Sequence, residues 1–548
     1  MGTAGADRHA QEGWEALARA DWASARSSFE LARAQAETAE VLDGLSQAAH
    51  FEGDYDGAIE LKELAFAKYR RSRKPVEASN TARWLGFLHG TFHGNFAAAS
   101  GWMARAERLL DGVEQCAAHG WIILDRAPFT NDTSEREQCA ASALTIARRF
   151  GDADLEFEAV ALLGETYVAT GRVAEGMKFL DEAMAAVSGG EVASHGAVGE
   201  IYCRVLSACE HATDVRRAEE WMALMDRYVA WMEFVRPTCK THYGGILIAL
   251  GRWTEAEAEL RDAIETFERG YRGDRAYPLV RLADLRVRQG RYEEAERLME
   301  GVEWHPKARR AAAAIAFARG DLQLAEELTR LCFEGGDPAD PACAPLLELL
   351  LRVELGRADV PAARETLARL STLAAGSDSE LVGAFADLAA GQIRGAEGDA
   401  GAAGLLMSAL ERLAALGLPL EAARARLELA RVISSETPDV AAVEARLALA
   451  SFEELGATRD ADAAAGLLRQ LGAGGRRAWP KGHGTFTKRE TEVVSLLSDG
   501  LSNAEIAERL YISRRTAEHH VASILSKLGL RSRAEAAAYA VREASKDQ

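Results

Sequence analysis

Residues 513–533 gather side chains suited to a charged, hydrogen-bonding surface: Ser513, Arg514, Arg515, Thr516, Glu518, His519, Ala522, Lys527, Arg531 and Arg533. Helical spacing sorts the residues of this stretch by face. Ala517, Val521, Ile524, Leu525 and Leu528 form one apolar stripe that must pack inward. Arg515, Glu518, His519, Ala522 and Ser526 fall on the opposite face, and Thr516, His520, Ser523 and Lys527 flank it. A helix so equipped can enter the major groove of double-stranded DNA. Arg515 and His519 can donate to guanine or phosphate, Glu518 can accept from cytosine N4, and small Ala522 permits close approach. Arg514, Lys527, Arg531 and Arg533 would neutralise phosphates, which makes binding weaken as salt rises.

The flanking residues position that helix. Thr487 with Glu490 and Ser502 with Glu505 have capping-box spacing, and Ser513 is a third N-cap. Gly500 and Gly529 stand where helices must stop. The spacing predicts a second helix over 503–510, opened by Asn503, itself a candidate DNA contact, and a third over 514–528. A tight turn at 511–513 joins them in helix-turn-helix geometry. A closing helix over 532–543, with Ala537, Ala540 and Val541, is the candidate dimer surface. From Lys481 to Gln548 there are 11 Lys and Arg against 9 Asp and Glu, a net of +2. The rest of the chain carries −21 of the total −19. So modest a positive charge implies weak binding by one module and a need for dimers.

The phrases Thr487-x-Arg-Glu-x-Glu-Val, Gly500-Leu-Ser-Asn-x-Glu-Ile-Ala, Ile512-Ser-x-x-Thr and His520-Val-x-x-Ile-Leu-x-Lys-Leu-Gly resemble the LuxR-type (GerE-like) helix-turn-helix family. The resemblance runs for about 60 residues without a gap. It implies DNA binding and transcription regulation, by dimers on related half-sites. Two residues depart from the family's pattern. Ala517 stands where Val is usual, and Glu518 stands where several members carry a basic residue.

The preceding 470 residues repeat a phrase: Gly, a polar residue, a hydrophobic residue, then an Ala-rich amphipathic run. Copies begin at Gly53, Gly94, Gly171, Gly251, Gly290, Gly320, Gly356 and Gly398, with weaker ones at Ala20 and Thr213. Clear neighbours lie about 30 to 42 residues apart, the range of helix-turn-helix repeats. Each Gly is expected to end a helix in the left-handed conformation. In 255–267, Ala256, Leu260, Ala263, Ile264 and Phe267 share one stripe. Trp84, Trp102, Trp121, Trp221, Trp231 and Trp253 are expected in repeat packing. The stretch resembles tetratricopeptide repeats, which implies stacked helix pairs with a concave binding surface.

The expected architecture is all-α, a tetratricopeptide-like α-solenoid followed by a small four-helix helix-turn-helix domain. Residues 1–12 read as a disordered tail, 13–470 as the repeat domain, 471–485 as a Gly-rich linker and 486–548 as the DNA-binding domain. Seven cysteines without a CxxC pair read as reduced thiols. No apolar run reaches the roughly 18 residues of a membrane span, and the N-terminus lacks the apolar core of a signal peptide. The expected location is therefore the cytoplasm.

Enzyme chemistry finds little support. No Gly-Lys pair occurs, so the phosphate loop of the ATPase domain that large LuxR-type regulators carry is not expected. His89-x3-His93 and Cys116-x2-His119 have metal-ligand spacing but read better as helix-end residues, and Cys203 and Cys209 as core thiols. Catalytic residues, cofactors and metals are not expected. The leading expectation is a sequence-specific transcription regulator whose repeats sense a ligand or protein partner, with contact to the transcription machinery open. The alternative is a protein-interaction adaptor with a vestigial DNA-binding domain.

Overall fold

The structure, a computed structural model, describes residues 2–127, 130, 132–228, 236–270, 274–334, 340–472, 492–493, 496–497, 501, 503–510, 512, 516–517, 520–521 and 524. Residues 1–465 and 466–548 form two compact units. Every regular element among the described residues is helical, and no described helix is long and apolar enough to cross a membrane.

The first unit is a succession of helix pairs. They are α1 (Gly2–Ala18) with α2 (Trp22–Gln35), α3 (Ala39–Phe51) with α4 (Tyr55–Arg71), α5 (Pro75–Thr91) with α6 (Phe96–Leu109), and α7 (Ala117–Arg126) with α8 (Thr133–Phe150). Next come α9 (Ala153–Ala169) with α10 (Val173–Gly189), α11 (His195–Ala212) with α12 (Val215–Tyr228), α13 (Arg236–Ala249) with α14 (Trp253–Gly270), and α15 (Ala276–Arg288) with α16 (Tyr292–Met299). The last are α17 (Pro306–Arg319) with α18 (Leu322–Leu331), α19 (Ala344–Gly356) with α20 (Val360–Ala375), α21 (Glu380–Ala396) with α22 (Ala402–Ala415), and α23 (Pro419–Ile433) with α24 (Pro438–Leu455), followed by α25 (Thr458–Gln470).

Most pairs turn by one device. A residue at positive φ ends the first helix, a polar residue caps the next, and an aromatic or aliphatic residue opens it. At Gly53 φ is 82°, a conformation costly for residues with a Cβ. Asp54 then accepts from the Gly57 N–H at 3.1 Å, and Tyr55 opens α4. In the copies without Gly, Ala20 and Thr213 themselves adopt φ of 58° and 57°. Gly356 corrects the sequence reading. It is the last residue of α19, and Ala358 takes the positive φ of 60°. Asp359 sets that register by accepting from the Ala362 N–H at 3.1 Å, while Leu322 leans over Gly356, 3.3 Å from where a Cβ would stand.

Two pairs lack the phrase. Between α7 and α8 the cap is Asp132, which accepts from Ser134 and Glu135 N–H. Between α23 and α24, Pro438 follows Thr437 at the new N-terminus. Residues 2–12 also differ from the expected tail, for they lie within α1. Ala6 is buried, and Gly13 lets Phe29 of α2 approach to 2.8 Å of a Cβ position.

The pairs wind tightly enough for successive turns to touch. Asp378, between α20 and α21, accepts from Val173 and Ala174 N–H at 2.7 and 3.2 Å and so caps α10, 205 residues away. The Thr458 hydroxyl donates to the Gln289 carbonyl at 2.9 Å, and Arg288 pairs with Glu421 at 2.8 Å. The predicted stripe of α14 is inward, with Ala256, Leu260, Ala263 and Phe267 fully buried and Ile264 half-buried. Trp253 is buried and donates to the Ile248 carbonyl at 3.0 Å, whereas Trp231 lies outside the described residues.

Several first helices also carry largely buried charge, among them α9, α11, α15 and α19. Glu165 on α9 pairs with Arg136 at 3.3 Å and Arg204 at 2.8 Å. Glu210 on α11 joins four consecutive first helices. It pairs with Arg281 of α15, with His242 of α13 at 2.9 Å and with Lys307 of α17 at 3.3 Å. Burial raises the Glu210 carboxyl, yet the Arg281 and Lys307 charges and the His242 hydrogen bond outweigh it and hold the group well below 4.5.

Candidate DNA-binding domain

The second unit contains α26 (Asn503–Leu510) and helical backbone at Glu492–Val493, Leu496–Leu497, Thr516–Ala517, His520–Val521 and Ile524. These pieces share one core. Val493, Leu497, Ile506, Ala507, Ala517, Val521 and Ile524 are buried, with Leu496, Leu501, Leu510 and Ile512 packed around them. Two backbone bonds end the helices. The Leu501 N–H donates to the Leu496 carbonyl at 3.2 Å, and the Ile512 N–H to the Ala507 carbonyl at 2.9 Å. Each reaches back five residues, the closure that terminates a helix and turns the chain. They fall where Gly500 and the 511–513 turn were expected.

The third-helix stripe is oriented as its spacing requires. Ala517, Val521 and Ile524, spaced by four and three, face the core, while Thr516 is exposed and His520 half-buried. Ala517 is fully buried, so its small side chain is a core residue. Among the predicted DNA-contacting residues, Asn503 opens α26 and Thr516 lies on the outer face. Ser513, Arg514, Arg515, Glu518, His519, Ala522, Lys527, Arg531 and Arg533 lie outside the described residues, as do Thr487, Glu490, Gly500, Ser502 and Gly529. Of the linker expected at 471–485, only Leu471 and Gly472 are described.

Hydrogen bonds engage one histidine of each motif with metal-ligand spacing in the first unit. His119 Nδ1 accepts from the Cys116 N–H at 3.2 Å at the start of α7, and His93 Nε2 lies 2.8 Å from Asp56. Cys209 is buried and Cys203 half-buried on α11, and burial pushes the Cys209 thiol up to about 12. Sequence reading singled out no binding residue in the repeats. The structure nonetheless brings Arg310, Arg352 and Arg459 together around a cavity inside the winding.

Comparison with known proteins places these observations. Residues 484–540 match the model of bacterial regulatory proteins of the luxR family, and 238–300 match a tetratricopeptide repeat model that spans α13 to α16. The C-terminal region is similar to the transcriptional regulatory protein LnrK of Bacillus subtilis, 54% identical over 57 residues, or 10% of this chain and 26% of that protein. It is also similar to LiaR of B. subtilis, 42% identical over 76 residues, or 14% and 35%. An HTH-type transcriptional regulator of Mycobacterium tuberculosis is 43% identical over 76 residues, or 14% of this chain and 9% of that protein. The chain thus spans between 9 and 35% of the length of these relatives. Among solved structures, the APC/C hetero-tetramer Cut9-Hcn1 is similar at a TM-score of 0.42 and 14% identity, over 84% of this chain and 96% of that one. Residues 484–540 are therefore a LuxR-type helix-turn-helix domain, preceded in the chain by helix pairs of which 238–300 match a tetratricopeptide repeat.

Proposed function

We propose that this chain is a sequence-specific DNA-binding transcription regulator whose repeat body receives a ligand or protein partner and thereby governs the C-terminal domain. The observation that carries the reading is the luxR-family match at 484–540 together with the stripe Ala517, Val521 and Ile524 in the domain core. That packing leaves the opposite face, on which Arg515, Glu518, His519 and Ala522 fall by helical spacing, for the major groove. Arg514, Lys527, Arg531 and Arg533 supply phosphate contacts, and Asn503, Ser513 and Thr516 complete the DNA-binding set, in a dimer on two half-sites in the cytoplasm. The body spans 2–470, the linker 471–485 and the DNA reader 486–548.

Control follows from charge and tethering. The −21 body can mask the +2 reader electrostatically, and a bound effector shifts the population toward the free reader. The test compares the full chain with a 481–548 fragment on one selected duplex, with and without cell extract. Weaker binding by the full chain, restored by extract, supports control by the body. Equal binding under all conditions refutes masking. Failure of both to select any sequence favours an adaptor with a vestigial DNA domain.

A further inference from the structure

Inside the later part of the winding, α15, α17, α19, α21, α23 and α25 surround a cavity of about 630 Å³. The Arg288–Glu421 pair and the Thr458–Gln289 hydrogen bond close the ring around it. Three of its lining guanidiniums are committed to carboxylates. Arg288 bonds Asp284 and Glu421, Arg424 grips Asp460 through two bonds of 2.9 Å, and Arg431 pairs with Glu428.

Three others are engaged less firmly, although the charge of Arg310 acts on Asp284 and those of Arg352 and Arg459 on Asp460. Arg310 has no hydrogen bond or ion pair with any described residue. Among the described residues Arg459 hydrogen-bonds only the Phe317 carbonyl, at 3.4 Å, and Arg352 forms a single long ion pair with Glu348 at 3.5 Å. The last two lie over the ring of Phe317, at 5.4 and 4.7 Å from its centroid. Two acceptors in the same wall, Gln392 Oε1 and Glu421 Oε2, are buried without a hydrogen-bond partner. Six arginines and five carboxylates line the cavity, so positive charge is in excess there, and excess charge and unused buried acceptors both cost stability unless something answers them.

We propose that this cavity binds a small organic anion, with its carboxylate or phosphate held by Arg310, Arg352 and Arg459. Its apolar body lies against Phe317 and Phe385, and its N–H or O–H groups donate to Gln392 and Glu421. The guanidinium fork matches both kinds of oxyanion. The volume is that of a small-molecule site, in the range of about 300–1,000 Å³. This deepens the reading of the repeat body as a receiver, but its test is made without DNA, so the two can fail separately.

The experiment is calorimetric titration of the full-length protein with phenyl phosphate, benzoate and benzyl alcohol. Saturable binding of at least one anion is expected, with none for the neutral alcohol, and the better anion assigns the headgroup. Arg310→Gln with Arg459→Gln should weaken it at least about tenfold, as loss of two charge-assisted contacts requires. Phenylglyoxal footprinting by mass spectrometry maps the site in the unaltered protein and serves if that variant fails to fold. The bound anion should protect Arg310 and Arg459 and leave exposed Arg70 and Arg71 reactive. No saturation by either anion up to about 10 mM, equal binding of the alcohol, undiminished binding by a folded variant, or no protection of Arg310 and Arg459 would overturn the proposal.

Discussion

Replacing Glu210 by Gln tests what holds the winding together. Arg281 is 5% exposed, and Glu210 is its sole ion-pair partner among the described residues. Its Nε and Nη1 already lack hydrogen-bond partners. The neutral amide leaves that charge buried without a counter-ion and also removes the partner of Lys307. Breaking a buried pair from one side costs about 3–5 kcal/mol, because the surviving charge keeps its desolvation penalty. Gly245 makes the space for the cluster, since a Cβ there would sit 2.5 Å from Glu210 Oε1 and 3.0 Å from Arg281 Nε. The pH dependence has a definite sign. The folded carboxyl lies well below 4.5, so its stabilisation is present above that value and is lost as pH falls through the folded pKa. Urea unfolding at pH 7, with hydrogen exchange to localise the loss, should show α11 to α17 weakened by that amount. The double variant Glu210→Gln with Arg281→Met should recover much of it, because the orphaned charge is gone. A single variant within about 0.5 kcal/mol of wild type would refute the reasoning, since that is the scale of ordinary surface substitutions.

Other consequences are open to simpler assays. Glu158 is buried, and burial together with the Glu200 charge raises its carboxyl well above 4.5. Glu158→Gln should therefore raise the melting temperature of the repeats at pH 7.5, with the gain vanishing below about pH 4.5 in parallel thermal melts. Gly176→Ala should cost about 3 kcal/mol in urea unfolding, because its Cβ would stand 2.5 Å from the Gly164 carbonyl oxygen, a backbone atom. Arg515→Ala should weaken specific DNA binding by about 1–3 kcal/mol if it reads a base, whereas equal weakening on all sequences would make it a phosphate contact.

The turns were legible because their chemistry is local. Asp21, Asp54 and Asp321 each cap the helix that follows within three residues, so spacing alone finds them. The same locality placed 503–510 and the inward stripe of Ala517, Val521 and Ile524. Gly356 misled because a glycine two residues early was read in place of Ala358, although Asp359 marked the true register. The α7–α8 pair escaped for want of a Gly phrase, though Asp132 followed by Glu135 has a cap's spacing. Residues 2–12 looked like a tail because their apolar residues are small, with Ala6 and Ala10 turned inward and Gly5 set against Gln35.

Long-range features could not be read this way. The partners of Glu210 lie 32, 71 and 97 residues away, and Asp378 caps a helix 205 residues distant. The three arginines assigned to the anion, Arg310, Arg352 and Arg459, sit on α17, α19 and α25, and only the winding brings them together.

The most direct test of the regulator reading is affinity selection of genomic DNA fragments by the full-length protein, beside its Arg515→Ala variant. The account predicts that the wild type, with cell extract if the body masks the reader, enriches a short two-fold symmetric motif and that the variant loses it or its selectivity. Failure of the wild type to enrich any motif with or without extract, at moderate salt, would contradict it.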